Sequence, residues 1–156
     1  MTLRRPADDS VTRVVELLGD RWTILVIAEA FFGVRRFSDF ARNIGITSRN
    51  LLTSRLRMLI DAGIFARTDE GGGRVDYHLT AAGRELYPII IAMMAWGDRH
   101  LTEPGGPPIV LEHRACGHPI TPLMVCDHCR AELDPREVEP RPGPGFHPMP
   151  GTEAAS

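Results

Sequence analysis

Four residues near the C-terminus have the spacing of a metal site. His113-x-x-Cys116 is followed, after nine intervening residues, by Cys126-x-x-Cys129. Each pair is short enough to close as a tight knuckle, with Cys116-Gly117 and Asp127-His128 at the turns. Three thiolates and one imidazole suit a tetrahedral Zn2+ ion, and a closed set of four leaves no open position for catalysis. The spacing predicts a structural Zn2+ held by His113, Cys116, Cys126 and Cys129, inside a small zinc-stapled β-ribbon whose hairpin arm is 120–125. His118 and His128 are near enough to replace His113 as the fourth ligand. Two other readings stay open: a redox-active Cys-x-x-Cys pair, and free thiols. No βαβ pattern surrounds the pair, which argues against a thioredoxin-like role. Without metal this Pro-rich segment has little core, so metal binding and folding are expected to be coupled.

A second constellation lies in the segment after Gly45. Laid out at about 100° per residue from Arg49, the residues Arg49, Asn50, Thr53, Ser54 and Arg57 fall within one arc of about 140°. Leu51, Leu52, Leu56, Met58 and Leu59 fill the opposite side. The polar face, read as Arg, Asn, Ser and Thr without an acid, suits the DNA major groove: Arg pairs with guanine O6 and N7, and Asn with adenine N6 and N7. Hydroxyls reach bases or phosphates. Arg55 falls on the apolar side, where Asp39 or Asp61 is its expected partner. An amphipathic helix with a merely solvated polar face is the competing reading of this segment taken alone.

The elements that must carry these residues follow from apolar spacing and stop signals. Val11, Val14, Val15 and Leu18 mark a first helix, stopped by Gly19. Leu25, Ile27, Ala28 and Phe31 lie in a second, ended near Gly33. A third starts at Ser38, carries Phe40, Ala41 and Ile44, and closes at Gly45. Thr47 or Ser48 can cap a fourth that runs to Ala62. Residues 64–67 and 75–79 read as strands around Gly71-Gly72-Gly73. Thr80 can cap a last long helix from Ala81 to about Leu101. Two short helices with a tight Gly-containing turn, then a β-hairpin, is the plan of a winged helix-turn-helix. The fold class is mainly α with a small β-hairpin wing, followed by the zinc-stapled ribbon. The domains are expected at 1–103 (winged helix and dimerisation), 104–112 (Pro/Gly linker), 113–139 (zinc module) and 140–156 (Pro/Gly-rich tail).

Composition agrees with this division. The 156 residues carry a net charge of −2, and all 18 cationic side chains are arginine. Residues 1–103 sum to +1 and 104–156 to −3, while residues 21–67 alone sum to +5. A local basic region in an acidic chain fits a nucleic-acid surface. Arg36, and Arg67 and Arg74 beside the wing glycines, can hold phosphates. Asp69, Glu70 and Asp76 weaken the wing's part. The N-terminus shows no secretory leader, and no apolar run reaches the roughly 18 residues of a membrane span. Three clustered cysteines do not make a disulfide framework, so a reducing cytoplasm is expected.

Several segments resemble the HxlR-type bacterial transcription regulators, relatives of the MarR group. Residues 17–25 (LLGDRWTIL) are similar to that family's first helix junction, and 36–40 (RFSDF) to the start of its third helix. Residues 52–56 (LTSRL) with Leu59 and Asp61-Ala62-Gly63 are similar to its recognition helix and exit, and 77–83 (YHLTAAG) to the wing's second strand and the next helix. The resemblance covers about 8–101. It implies a homodimeric regulator on a pseudo-palindromic operator. Similar Cys-Gly and Cys-x-x-Cys tails follow the winged helix in some members. Many members carry a sensing cysteine before the first helix. Here that place holds Asp8, Asp9 and Ser10, so that thiol switch does not transfer.

The last helix is apolar on more than one face, through Leu86, Tyr87, Ile89, Ile90, Ile91, Met93, Met94 and Trp96, and the first helix is expected to join it in a dimer. Together these features predict a cytoplasmic, sequence-specific DNA-binding regulator, more a repressor than an activator. Its candidate DNA-binding residues are Arg36, Thr47, Ser48, Arg49, Asn50, Thr53, Ser54, Arg57, Arg67 and Arg74. A small-molecule effector of unspecified identity is a further expected partner. The competing class is a protein-interaction adaptor that uses the winged helix and ribbon as docking surfaces without an operator. No nucleophile or carboxylate pair suggests an enzyme.

Overall fold

Four helix starts among the described residues are set by side chains of Asp9, Asp20, Ser48 and Thr80 that accept from first-turn amides. A computed structural model describes residues 9–101 and 103–146. Asp9 caps α1 (Ser10–Leu18) by accepting from the Val11 amide at 3.0 Å. Asp20 caps α2 (Arg21–Phe31), accepting from the amides of Trp22 and Thr23. The α2 C-terminus is closed by Arg35, whose Nη1 donates to the carbonyls of Ala30 and Val34 at 2.7 and 2.8 Å. Helix α3 (Phe37–Ile44) ends at Gly45, whose φ of 74° is left-handed. The amide of Ile46 folds back onto the Ala41 carbonyl. Ser48 caps α4 (Arg49–Asp61).

Among the described residues, those up to His78 and those from Glu139 form one compact unit, and those from Leu79 to Val138 another. In the first unit, α2, α3 and α4 pack on one another. Val26, Ile27 and Ala30 of α2, Phe40 of α3 and Leu52, Leu56 and Leu59 of α4 are buried there, with Ile46, Ile64 and Phe65. The Phe40 ring meets Phe65 and Tyr77 edge-on at 6.3 and 6.5 Å. Strands β1 (Phe65–Asp69) and β2 (Val75–Leu79) pair as the wing. The wing root is also tied to the chain just before α3: Arg36 bridges to Asp76, and the Tyr77 amide donates to the Arg35 carbonyl at 2.8 Å.

In the second unit, the single long helix expected from Ala81 to Leu101 is two helices, α5 (Ala81–Arg84) and α6 (Tyr87–His100). The cause is Pro88. It has no amide to give the Arg84 carbonyl, and its ring crowds that carbonyl, so a continuous helix fails there. Pro at the first turn of a new helix is tolerated. Further on, β3 (Glu112–His113) pairs antiparallel with β4 (His118–Pro119), and Val125 bridges to Glu132. The hairpins close on the two knuckles, and 120–124 form no strand, so the arm expected over 120–125 is not there. The winged helix-turn-helix part of the expected fold class is present. The zinc-stapled ribbon is not, because among the described residues no ligand cluster exists to staple it. The expected Pro/Gly tail runs past 146, and 147–156 lie outside the described residues, as does Asp8.

Candidate nucleic-acid interface

Burial of Leu52, Leu56 and Leu59 turns the opposite side of α4 to solvent. Asn50, Thr53, Ser54 and Arg57 line one open groove along it, of about 440 Å3, together with Met58 and Asp61. Asp61 is an acid that the wheel reading of this face omitted; it sits at the C-terminal end of the groove. Among the described residues, Arg57 and Asn50 have no side-chain partner, so their donors point into solvent. The hydroxyls of Thr53 and Ser54 are committed differently. Each donates to a carbonyl of its own helix, to Arg49 and Leu51 respectively, both at 2.8 Å. Each is thereby left as an acceptor toward any ligand. Ser48 is engaged as the N-cap, accepting from the Leu51 amide at 3.3 Å. Thr47 is exposed in the turn. The Arg49 guanidinium lies over the Phe37 ring at 5.1 Å, so α3 holds its position.

Arg55 pairs with neither Asp39 nor Asp61. Its Nε lies 3.2 Å from the Asp20 carboxylate. Asp39 instead pairs with Arg42 along α3. Asp20 therefore caps α2, accepts from the Thr23 hydroxyl and meets α4. Burial pushes its carboxyl up. The hydroxyl and amide of Thr23, the Arg55 charge and the Trp22 amide together outweigh that and hold it below the usual carboxylate range. The sequence gives one signal for this role: an acid directly before an apolar helix. The partner, 35 positions away, is a tertiary contact that spacing does not disclose.

On the wing, Arg67 is exposed with no ion pair among the described residues. Arg74 and Arg36 converge on one carboxylate, with Nε atoms 3.7 and 3.9 Å from Asp76 Oδ1. Asp76 is largely covered, while both arginines stay half exposed. It thus gathers two cations at the wing root and offsets part of their charge.

The expected Zn2+ site is corrected by the geometry of the knuckles. His113 Nδ1 lies 3.4 Å from Cys116 Sγ, and in the other knuckle the backbone amides of Cys129 and His128 hold the Cys126 thiol below its usual range. His118 Nδ1 is engaged by the Cys116 carbonyl at 2.8 Å. Each knuckle closes on itself, and among the described residues no group of three or more His, Cys, Asp or Glu side chains could hold a metal. Two donors per knuckle fall short of the four a structural zinc ion requires. His113, Cys116, Cys126 and Cys129 are therefore not a zinc site in this structure, and zinc leaves both the cofactor and the function assignment.

A family model for the HxlR-like helix-turn-helix matches residues 17–104. An uncharacterized HTH-type transcriptional regulator of Mycobacterium tuberculosis is 51% identical over 140 residues, covering 88% of each chain. The crystal structure of PA1607, assigned as a transcription factor, matches with a TM-score of 0.79 and 30% identity, over 86% of this chain and 95% of that one. The redox regulator HypR in its reduced form matches with a TM-score of 0.54 and 30% identity, over 58% of this chain and 92% of its own. These relatives are regulators and not enzymes. With more than half of its length matched, the chain belongs to the HxlR-like helix-turn-helix family.

Proposed function

We propose that this protein is a sequence-specific DNA-binding transcriptional regulator that reads the major groove with α4. One observation carries the reading: Asn50, Thr53, Ser54 and Arg57 share an open groove on the solvent side of a helix whose other side is buried. Arg57 and Asn50 supply free donors for base edges. Thr53 and Ser54 supply acceptors, which match the amino groups of adenine or cytosine. Arg49 and Arg67 hold the backbone, with smaller shares from Arg36 and Arg74 because Asp76 offsets them. Thr47 and Ser48 sit at the α4 N-terminus, where backbone amides favour a phosphate.

The unit of action is a homodimer. Val11, Val14 and Val15 of α1 are exposed, and so are Tyr87, Ile89, Met93 and Trp96 of α6. Apolar faces of this kind on helices fit burial against a second copy. A twofold dimer sets two α4 helices about one DNA turn, roughly 34 Å, apart. A small-molecule effector is a further part of the proposal, and the likeness to the redox regulator HypR supports a redox input. No helix among the described residues is long and apolar enough to cross a membrane.

The test is binding of the full chain to duplex from its own upstream region, against scrambled duplex, across a salt series. Tight, sequence-dependent binding that weakens steeply with salt is the expected result. Equal, weak binding to both duplexes, repeated after selection from random duplexes, would overturn the reading in favour of a protein-docking adaptor.

A further inference from the structure

The α4 groove ends in a side chain that the helix itself does not need. Asp61 is the last residue of α4 and lines the same groove as Asn50 and Arg57. It is exposed, and among the described residues it makes no hydrogen bond or ion pair, although Arg57 stands one helical turn before it. The helix end is closed by backbone alone. The Ala62 and Ile64 amides donate to the Met58 and Leu59 carbonyls, both at 2.9 Å, and Gly63 takes a left-handed φ of 71°. A carboxylate at a helix C-terminus faces the negative end of the helix dipole, so this placement opposes the helix rather than supporting it. The groove thus carries a free acceptor at its C-terminal end and the free donors of Asn50 and Arg57 before it, with half-buried Met58 beside them.

We infer that Asp61 is a specificity-determining residue of the DNA-binding surface, accepting a hydrogen bond from the N4 amino group of a cytosine in the major groove. That role rests on α4 being the helix that reads the groove. A phosphate would repel the carboxylate, whereas cytosine N4 and adenine N6 are amino donors on the major-groove base edges. Adenine sets its N7 acceptor beside N6, which repels the second carboxylate oxygen, and cytosine has a C–H there instead. Thymine presents its O4 acceptor where cytosine has N4, so it too is disfavoured. Four residues of helix advance about 6 Å, close to two base-pair steps of about 3.4 Å. The cytosine therefore lies within about two steps of the base pair that Arg57 meets.

The experiment selects duplexes from a random pool with the full native chain, then measures binding to a panel in which each C·G pair of the selected site becomes T·A. At one position of each half-site the native chain should lose about fivefold or more in affinity. Asp61→Asn should lose that distinction, because an amide can donate to thymine O4 as well as accept from cytosine N4. Asp61→Ala should lose it too. Both variants should keep the native preference at the other positions, which shows that α4 is intact. A native chain without such a position would overturn the inference. So would a cytosine preference that Asp61→Asn leaves unchanged while binding to every duplex, scrambled included, rises by one factor; Asp61 would then only repel phosphates. Loss of preference at all positions in both variants would make Asp61 a structural residue and overturn the inference as well. A native chain that selects no sequence would overturn the DNA reading itself and this inference with it. Selection that does not depend on Asp61 would overturn the inference alone.

Discussion

The two units of this chain are stabilised in opposite ways. The unit built on α2, α3, α4 and the wing holds nearly all of the fully buried apolar side chains, among them Phe40, Leu52, Leu56 and Phe65. Over 109–138 of the other unit, Ile109, Val110, Leu123, Met124, Val125, Leu133 and Val138 are all exposed. There the order comes from short backbone hydrogen bonds around two turns. In the first unit a sequence period implies a face, and a face implies a core. In the second a ligand-like spacing implies only a turn. The Cys and His pairs report how the chain bends locally, and the bend does not bring the pairs together.

The largest effect should come from attacking this contrast directly. Leu56→Ala removes a side chain that is 1% exposed at the centre of α4 and should cost about 2–5 kcal/mol. Leu133→Ala, at 40% exposure, should stay within roughly 0.5 kcal/mol, as surface changes usually do. Urea unfolding of both variants reads the difference. Similar losses would mean that the tail has a core that it does not show here. Next in size is Arg57→Ala, which truncates a free donor in the α4 groove without touching the core. Its expected cost is about 1–3 kcal/mol of specific binding, with relaxed preference at one base position. Unchanged discrimination in a duplex panel would move base reading elsewhere on α4.

Asp20 tests how the buried side of α4 is held in place. Asp20→Ala loses the α2 cap as well as the ion pair and should cost about 1–2 kcal/mol. Asp20→Asn keeps a capping oxygen and loses the charge, so it should cost about 0.2–1 kcal/mol, the range for a partly exposed pair. The folded carboxyl sits below its usual range, so the unfolded chain binds its proton first as pH falls. The charge therefore stabilises fully above about pH 4, and that contribution is lost as pH drops through the lowered value. The stability gap between the native chain and Asp20→Asn should be open at pH 7 and should close toward pH 3. A gap that widens on acidification would reverse the assignment.

Much of the DNA-binding lobe could be read before the fold was seen, for local reasons. Ser48 and Thr80 stand at helix starts, Gly45 at the helix-turn-helix bend and Gly71-Gly72-Gly73 at the wing tip, each marked by its own chemistry. The failures have non-local or competing causes. The Arg55 partner is brought in by packing of α2 on α4. The hydroxyls of Thr53 and Ser54 satisfy their own helix first, which a wheel does not show. The polar face was read as free of acid, yet Asp61 lines it. The Pro88 break was visible in the sequence, and the strong apolar pattern around it masked it. The zinc reading failed at the one step that spacing leaves open, the meeting of two separate turns.

The smallest expected effect separates two arginines that look alike in sequence. Arg67 and Arg74 flank the same glycines, but only Arg74 shares Asp76 with Arg36. A cation already near a carboxylate releases fewer counterions on meeting a phosphate, because part of its charge is offset before binding. Arg67→Ala should therefore lower the salt slope of DNA binding by close to one, and Arg74→Ala by less than one. Asp76→Asn frees both tethered arginines, so it should strengthen binding to any duplex at low salt and leave the sequence preference as it was. If Arg74→Ala lowers the slope as much as Arg67→Ala, the Asp76 contact breaks on DNA and the wing root contributes its full charge. In that case Asp76→Asn should change the slope little, and the two variants read together decide between a wing held by its own acid and one released by the ligand.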